Sequence, residues 1–213
     1  MATYKLSQDE ITKFSQDGYF IVKGLFDDEE ISILRTAIET DSNLKEKLYN
    51  RFDASGRKTN MATWNHPGDS VYGLAARSRR VVDTIETLLG GEIYHYHSKL
   101  TAKEPYEGGA WEWHQDYGYW YHDSQRIRPD LASCMVAIDH AHAGNGCLNV
   151  LRGSHLLGRV DHSRQERGEM HADADVRSSS RSPCRQPATP NPASRSAHLD
   201  EDCPFYHKKI LTW

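Results

Sequence analysis

Gly108-Gly109-Ala110-Trp111-Glu112-Trp113-His114-Gln115-Asp116-Tyr117-Gly118-Tyr119-Trp120-Tyr121-His122 is the stretch on which the reading of this chain turns. Its aromatic residues alternate as in a strand, where residues two apart project from one face, about 6.6 Å from each other. The His114 imidazole and the Asp116 carboxylate can then reach the same metal ion. Two histidines and one carboxylate make the facial set that leaves positions on Fe(II) open, and His114 with Asp116 supplies two of those three ligands. A lone His-X-Asp also occurs where no metal binds, so the flanking sequence carries the decision.

Downstream, Asn145-Gly146-Cys147-Leu148-Asn149-Val150-Leu151-Arg152-Gly153-Ser154-His155 reads as a strand between two turn signals, Asn-Gly and Gly-Ser. Upstream, Leu6-Ser7-Gln8-Asp9-Glu10 leads to Phe14, then Asp17-Gly18-Tyr19-Phe20-Ile21-Val22, Gly24-Leu25-Phe26 and Asp28-Glu29-Glu30. In this order the three segments resemble the phytanoyl-CoA dioxygenase family of Fe(II)/2-oxoglutarate oxygenases, over roughly residues 5 to 175. Arg152 stands where that family usually has proline.

The chain of 213 residues, 38% of them hydrophobic, has the length and apolar content for one domain with an ordinary core. A net charge of -4 provides no basic footprint, so nucleic acid and anionic membranes are not expected partners. No run approaches the ~20 apolar residues of a spanning helix, and the first residues lack the apolar segment of a secretory signal. The default expectation is therefore a cytoplasmic protein. Cys134, Cys147, Cys184 and Cys203 lack zinc-site spacing, and the two on expected strands read as buried thiols.

Ser7 with Glu10 predicts a capping box opening a helix through about Gln16, ended by Asp17-Gly18. Tyr19 to Val22 reads as a short strand. Asp27 or Asp28 caps a helix whose Ile31, Leu34 and Ile38 share one face. Residues 42 to 70 read as a long loop, and Ser70 to Leu89 as a helix stopped by Gly90-Gly91. Strands are expected over Ile93–Leu100, Trp111–Tyr119, Cys134–Asp139 and Cys147–Leu151. This predicts a mainly β protein with N-terminal flanking helices. The resemblance identifies the β core as a double-stranded β-helix, a jelly roll of the cupin type, incomplete at its C-terminus.

From Val176 to His198, Ser, Pro and Arg make up 14 of 23 residues, too few core-forming side chains to offset chain entropy. Two segments are therefore expected: residues 1–175 as a partial dioxygenase-like domain, and 176–213 as a divergent, disordered tail with one short element at most after residue 204. The abrupt end of the resemblance points to a truncated isoform or a reading-frame error. The family takes a distal metal histidine and a 2-oxoglutarate-pairing arginine from this region, and no segment here resembles them. His198 lies at about the right distance to be the third ligand, and His207 has Lys208 and Lys209 beside it. His155 reads as a turn residue, and His140 and His142 as the polar end of a strand. His95 and His97 share a face, which suits either a second metal pair or a solvated strand.

The resemblance implies Fe(II) held by His114 and Asp116, 2-oxoglutarate as co-substrate with Lys103 at a contact position, and oxygen-dependent hydroxylation of a small organic substrate. Trp111, Trp113, Tyr117, Tyr119 and Trp120 would line the cavity or pack the core. With the third ligand and the arginine unidentified, little 2-oxoglutarate turnover is expected of the chain as it stands. The alternative is a catalytically silent cupin-type protein that binds a metal or a small molecule.

Overall fold

The computed structural model describes residues 4–53, 55–104, 106–109, 111, 113–124, 128–164, 170–172, 197–198 and 209–212. The Ser7 hydroxyl accepts from the Glu10 amide, and the Glu10 carboxylate accepts from the Ser7 amide at 2.8 Å. That capping box starts α1 (Gln8–Asp17), and Gly18 ends it in the left-handed region at φ +83°. A second box, Asp27 with Glu30, opens α2 (Asp28–Thr40), which buries Ile31, Leu34 and Ile38 at helical spacing. Both helices lie where their caps and periodicity predict.

Residues 42–70 are not a loop. They hold α3 (Ser42–Glu46) and an antiparallel hairpin of β1 (Tyr49–Phe52) and β2 (Lys58–Trp64). Asp53 builds the turn: its Oδ1 accepts from the Ser55 amide at 2.9 Å, the Ser55 hydroxyl at 2.7 Å and the Arg57 amide at 2.9 Å. Asp-X-Ser-Gly carries turn chemistry, and Thr59 and Met61 are buried two apart along β2. The interspersed asparagines hid this pattern.

The helix expected over Ser70–Leu89 divides into α4 (Val71–Ala76), capped by Ser70, and α5 (Arg79–Leu89), which starts after Ser78. Tyr19–Val22 joins no sheet among the described residues, and the strand expected from Ile93 begins only at Ser98, as β3 (Ser98–Ala102). The Trp111–Tyr119 strand is also overturned. Asp116 opens α6 (Asp116–Ser124), and the Tyr119 amide bonds the Gln115 carbonyl at 2.9 Å. Tyr117, Trp120 and Tyr121 fit helical spacing, and the tertiary contacts of Gln115 and Gly118 decide between the two periods.

The remaining strands are β4 (Met135–Ala137), β5 (Asn149–Val150), β6 (His162–Arg164), β7 (Met170–Ala172), β8 (Ala197–His198) and β9 (Lys209–Thr212). The largest sheet is antiparallel with order β1-β2-β3-β9-β4, and β5–β8 and β6–β7 form two smaller pairs. The short element expected after residue 204 is β9, which lies between β3 and β4. The disorder expected over 176–198 falls outside the described residues, except for the two residues of β8. Helix outweighs strand among the described residues, against the mainly β balance expected. Cys147 is buried and Cys134 half-buried, each just outside its strand.

Ala62, Leu100 and Val136 lie on the sheet face that packs on Ile31, Leu34 and Ile38 of α2 and Tyr72 and Ala75 of α4. The Tyr72 hydroxyl donates to the Leu34 carbonyl at 3.0 Å, tying the two helices. The other face carries Arg51, Thr59, Met61, Lys99 and Thr101, since residues directly opposite in a ladder share a face. The Gly109 amide donates to the Lys58 carbonyl at 3.0 Å, and the Thr59 hydroxyl to the Gly109 carbonyl at 3.3 Å. The segment leading to His114 is thereby tied to this second face.

One ion pair fixes α5 to α2. Both amino groups of Arg80 donate to the Glu30 carboxylate, one of them at 2.9 Å, with side chains only 14% and 27% exposed. The Arg80 hydrogen bond holds the Glu30 carboxyl below its ordinary value of 4.5. A depressed carboxylate stabilises the fold above its unfolded pKa and loses that contribution as pH falls through the folded one. Arg80→Ala should therefore cost about 1 kcal/mol at neutral pH after solvent screening. In denaturant titrations the gap from wild type should close below about pH 4.5. A gap of the same size at pH 7 and at about pH 3 would contradict the pairing.

Candidate metal centre

His114 lies two residues before Asp116, the first residue of α6, so the two converge across a helix start rather than along a strand. Their facing atoms, Nε2 and Oδ1, are 3.4 Å apart. Two ligands about 2.1 Å from one ion, subtending about 90–110°, lie about 3.0–3.4 Å from each other. An N–H···O hydrogen bond is usually about 2.7–3.2 Å long. The spacing fits a shared cation as well as a long hydrogen bond from His114 to Asp116, and an imidazole nitrogen with a carboxylate oxygen suits a borderline ion such as Fe(II). Among the described residues no group of three His, Cys, Asp or Glu side chains is placed to hold a metal.

The second Asp116 oxygen accepts from the Ser133 hydroxyl at 2.7 Å, which fixes the carboxylate with Oδ1 toward His114. Burial pushes the Asp116 carboxyl up, but the His114 imidazole, the Ser133 hydroxyl and the Lys99 ammonium together bring it down to about 2. Asp116 is therefore an anion throughout the physiological range. Ser133 was not anticipated from the sequence, because nothing local links it to a residue 17 positions earlier.

The middle residue of His-Gln-Asp is the anchor. The Gln115 side chain donates to the Gly158 carbonyl at 2.8 Å and accepts from the Val160 amide at 2.9 Å. Its own amide donates to His162 Nε2 at 3.0 Å, while His162 Nδ1 lies 2.7 Å from the Val160 carbonyl. These partners require a neutral imidazole with its proton on Nδ1. Buried His162 is thus a positioning group for the pair, and sequence reading missed it.

Trp111 lies beneath two cations, with Arg51 Cζ 3.7 Å and Lys99 Nζ 4.5 Å from its ring centroid. Its ring is 6.1 Å from that of His114. Burial holds the Lys99 ammonium below its ordinary range, with Asp116 opposing the shift and Arg51 adding to it. His97 packs edge-on against Trp120 at 4.9 Å, and its Nδ1 is buried with no hydrogen-bond partner. Lys103 instead reaches the Asn145-Gly146 turn, where a Cβ added at Gly146 would meet its ammonium at 3.4 Å. Trp113 is 43% exposed, while Tyr117, Tyr119 and Trp120 are half-buried on α6.

His95, His142 and His155 have structural partners. His95 contacts the Asn65 carbonyl at 3.2 Å and the Ser98 hydroxyl at 2.7 Å, and lies in neither a metal pair nor a solvated strand. His142 caps a short 3-10 turn, its Nδ1 accepting from the Gly144 amide at 3.1 Å. His155 stands in the Gly-Ser-His turn as expected, and that turn docks on the C-terminus of α1. There His155 Nε2 meets the Ser15 carbonyl at 3.0 Å, the Gly153 amide donates to the Asp17 carbonyl at 2.8 Å, and Arg152 pairs with Asp17 at 3.6 Å. A Cβ at Gly18 would lie 2.4 Å from His155 Nδ1. The backbone of His198 pairs with Asn149 across β8 and β5, and His207 lies outside the described residues.

An imidazole and a carboxylate converging beside the open face of a helix-backed antiparallel sheet define a fold with a two-donor site suited to a metal ion. The profile described as phytanoyl-CoA dioxygenase matches residues 14–196, and the chain belongs to that family. It is 29% identical over 164 residues to L-proline trans-4-hydroxylase of Streptomyces griseoviridis, covering 76% of this chain and 61% of that protein. It is 25% identical over 154 residues to ectoine dioxygenase of Bordetella parapertussis, covering 70% of this chain and 50% of that protein. The chain thus spans between half and two thirds of the length of these relatives. Its fold is similar to that of EctD from S. alaskensis with bound Fe, at a TM-score of 0.69 and 19% identity, over 98% of this chain and 68% of that one. It is also similar to the non-heme alpha ketoglutarate dependent carbocyclase SnoK, at 0.65 and 16%, over 97% and 74%. No helix among the described residues is long and apolar enough to cross a membrane.

Proposed function

We propose that this chain is an Fe(II)/2-oxoglutarate-dependent dioxygenase that hydroxylates a small organic substrate, with His114, Asp116 and His198 as its metal ligands. The sheets are then the partial jelly roll of such enzymes. The observation that carries the reading is the 3.4 Å approach of His114 Nε2 to Asp116 Oδ1, with Ser133 holding the other carboxylate oxygen. Family membership and the dioxygenase and hydroxylase names of the relatives support it. EctD, whose fold is similar, is also known with 2-oxoglutarate and 5-hydroxyectoine.

Bound iron would supply the redox chemistry that couples oxygen and 2-oxoglutarate decarboxylation to oxidation of a carbon–hydrogen bond. The chain's part is orientation. Gln115 and His162 hold the ligand segment, and Ser133 keeps Asp116 turned toward His114. His198 enters on β8, the partner of the strand that follows the Asn-Gly-Cys-Leu turn.

A silent metal-binding cupin is the second reading, favoured by the convergence of only two ligands among the described residues. Iron content and succinate release decide between them, measured on purified chain with Fe(II), oxygen and 2-oxoglutarate. Tightly held iron and succinate release, both lost in His198→Ala, establish the dioxygenase. Weak iron unchanged by His198→Ala, with no succinate, establishes the silent protein.

A further inference from the structure

We propose that α1, docked through His155, holds β5 and its partner β8 in place and so sets the position of His198 at the metal centre. This deepens the proposed function and rests on its reading of His198 as the third ligand. α1 is ten residues long and fully buries none of them, too short to be stable as an isolated helix. The last four carbonyls of a helix lack partners within it. Here the Phe14 carbonyl accepts from the Gly18 amide at 2.9 Å, and the turn at residues 153–155 meets two more. His155 Nε2 lies 3.0 Å from the Ser15 carbonyl, and the Gly153 amide donates to the Asp17 carbonyl at 2.8 Å. A carbonyl only accepts, so the His155 proton is on Nε2. Gly18 permits the approach: it takes the left-handed φ of +83° that ends the helix, and a Cβ there would fall 2.4 Å from His155 Nδ1.

The docked turn continues directly from β5 (Asn149–Val150). β5 pairs with β8 over two residues, Asn149 opposite His198 and Val150 opposite Ala197. A ladder that short is marginal by itself, so the place of His198 depends on what fixes β5. The first docking contact, at Gly153, follows Val150 closely, and freeing the turn frees that end of the strand. His155 is thus a positioning residue that acts through the β5 backbone rather than by contact with the ion. Linkage makes the effect reciprocal: if the docked state binds iron more tightly, bound iron favours docking by the same factor.

The test uses the full chain under argon with Fe(II) as the probe, as wild type, His155→Ala, His155→Gln, Gly18→Ala and His198→Ala. Fe(II) affinity is measured by competition with a chelator. Amide hydrogen exchange of α1 is followed by mass spectrometry with and without the metal. His155→Ala should speed α1 exchange and weaken Fe(II) binding about tenfold, and saturating Fe(II) should slow wild-type α1 exchange by a similar factor. His155→Gln, whose amide nitrogen can donate to the Ser15 carbonyl, should recover most of the affinity. Gly18→Ala breaks the same contact from the helix side, should reproduce the loss, and keeps the test valid if His155→Ala fails to fold. Equal Fe(II) affinity of wild type, His155→Ala and Gly18→Ala overturns the coupling, as does wild-type α1 exchange that Fe(II) leaves unchanged. Fe(II) affinity unchanged in His198→Ala overturns the ligand reading itself, and this inference with it.

Discussion

His114→Ala and Asp116→Ala should each strip the chain of retained iron. Each removes one of the two proposed donors whose facing atoms stand 3.4 Å apart, and a site short of one ligand holds an ion only weakly. Ser133→Ala tests the same geometry more gently, since it frees the second Asp116 oxygen while sparing both donors. Loss of such an orienting hydrogen bond costs about ten- to a hundredfold in metal affinity. Iron content after anaerobic gel filtration orders the four proteins: wild type highest, Ser133→Ala intermediate, the alanine variants of the donors lowest. Iron content unchanged in both donor variants would reject the assignment.

Gly118→Ala should be among the most damaging single-methyl changes in the chain. A Cβ at this buried position would lie 2.0 Å from the Val160 carbonyl oxygen and 2.6 Å from His162 Nδ1. The carbonyl is backbone and cannot rotate away, and His162 is held by Gln115 and Val160. Accommodating the methyl means separating α6 from residues 158–162, which costs about 2–3 kcal/mol by overpacking alone. For a chain of this length that is about 4–12 °C in Tm. Because the same contacts hold Gln115 between His114 and Asp116, the proposed donors, iron affinity should fall with stability. A Tm and an iron affinity both equal to wild type would show that the 158–162 segment does not clamp the site.

The local signals read well where the chemistry is local. Ser7 with Glu10 and glycine at 18 are caps whose partners lie within four residues, and both form as predicted, while of the two aspartates offered for α2 it is Asp27 that caps, with Glu30 completing the box. The Asp53 turn was equally local and was passed over because asparagines masked the alternation beside it. Around residue 116 the sequence offers two periods at once. Strand alternation relates residues 111, 113, 117 and 119, while helical spacing relates 117, 120 and 121, and the choice was made by contacts from residues 158–162.

The features that the sequence by itself determined are therefore those whose meaning is carried by neighbours in the chain: the helix caps, the buried face of α2 and the family to which the chain belongs. Tertiary structure alone decided the rest. It brought Ser133 to Asp116, His162 to Gln115, and Arg51 and Lys99 to Trp111. It also set β9 between β3 and β4 and seated the Gly-Ser-His turn on α1. The physical reason is the same in each case. Hydrogen bonds and charge contacts act over a few ångströms of space, and folding joins groups whose separation along the chain leaves no periodic or local trace.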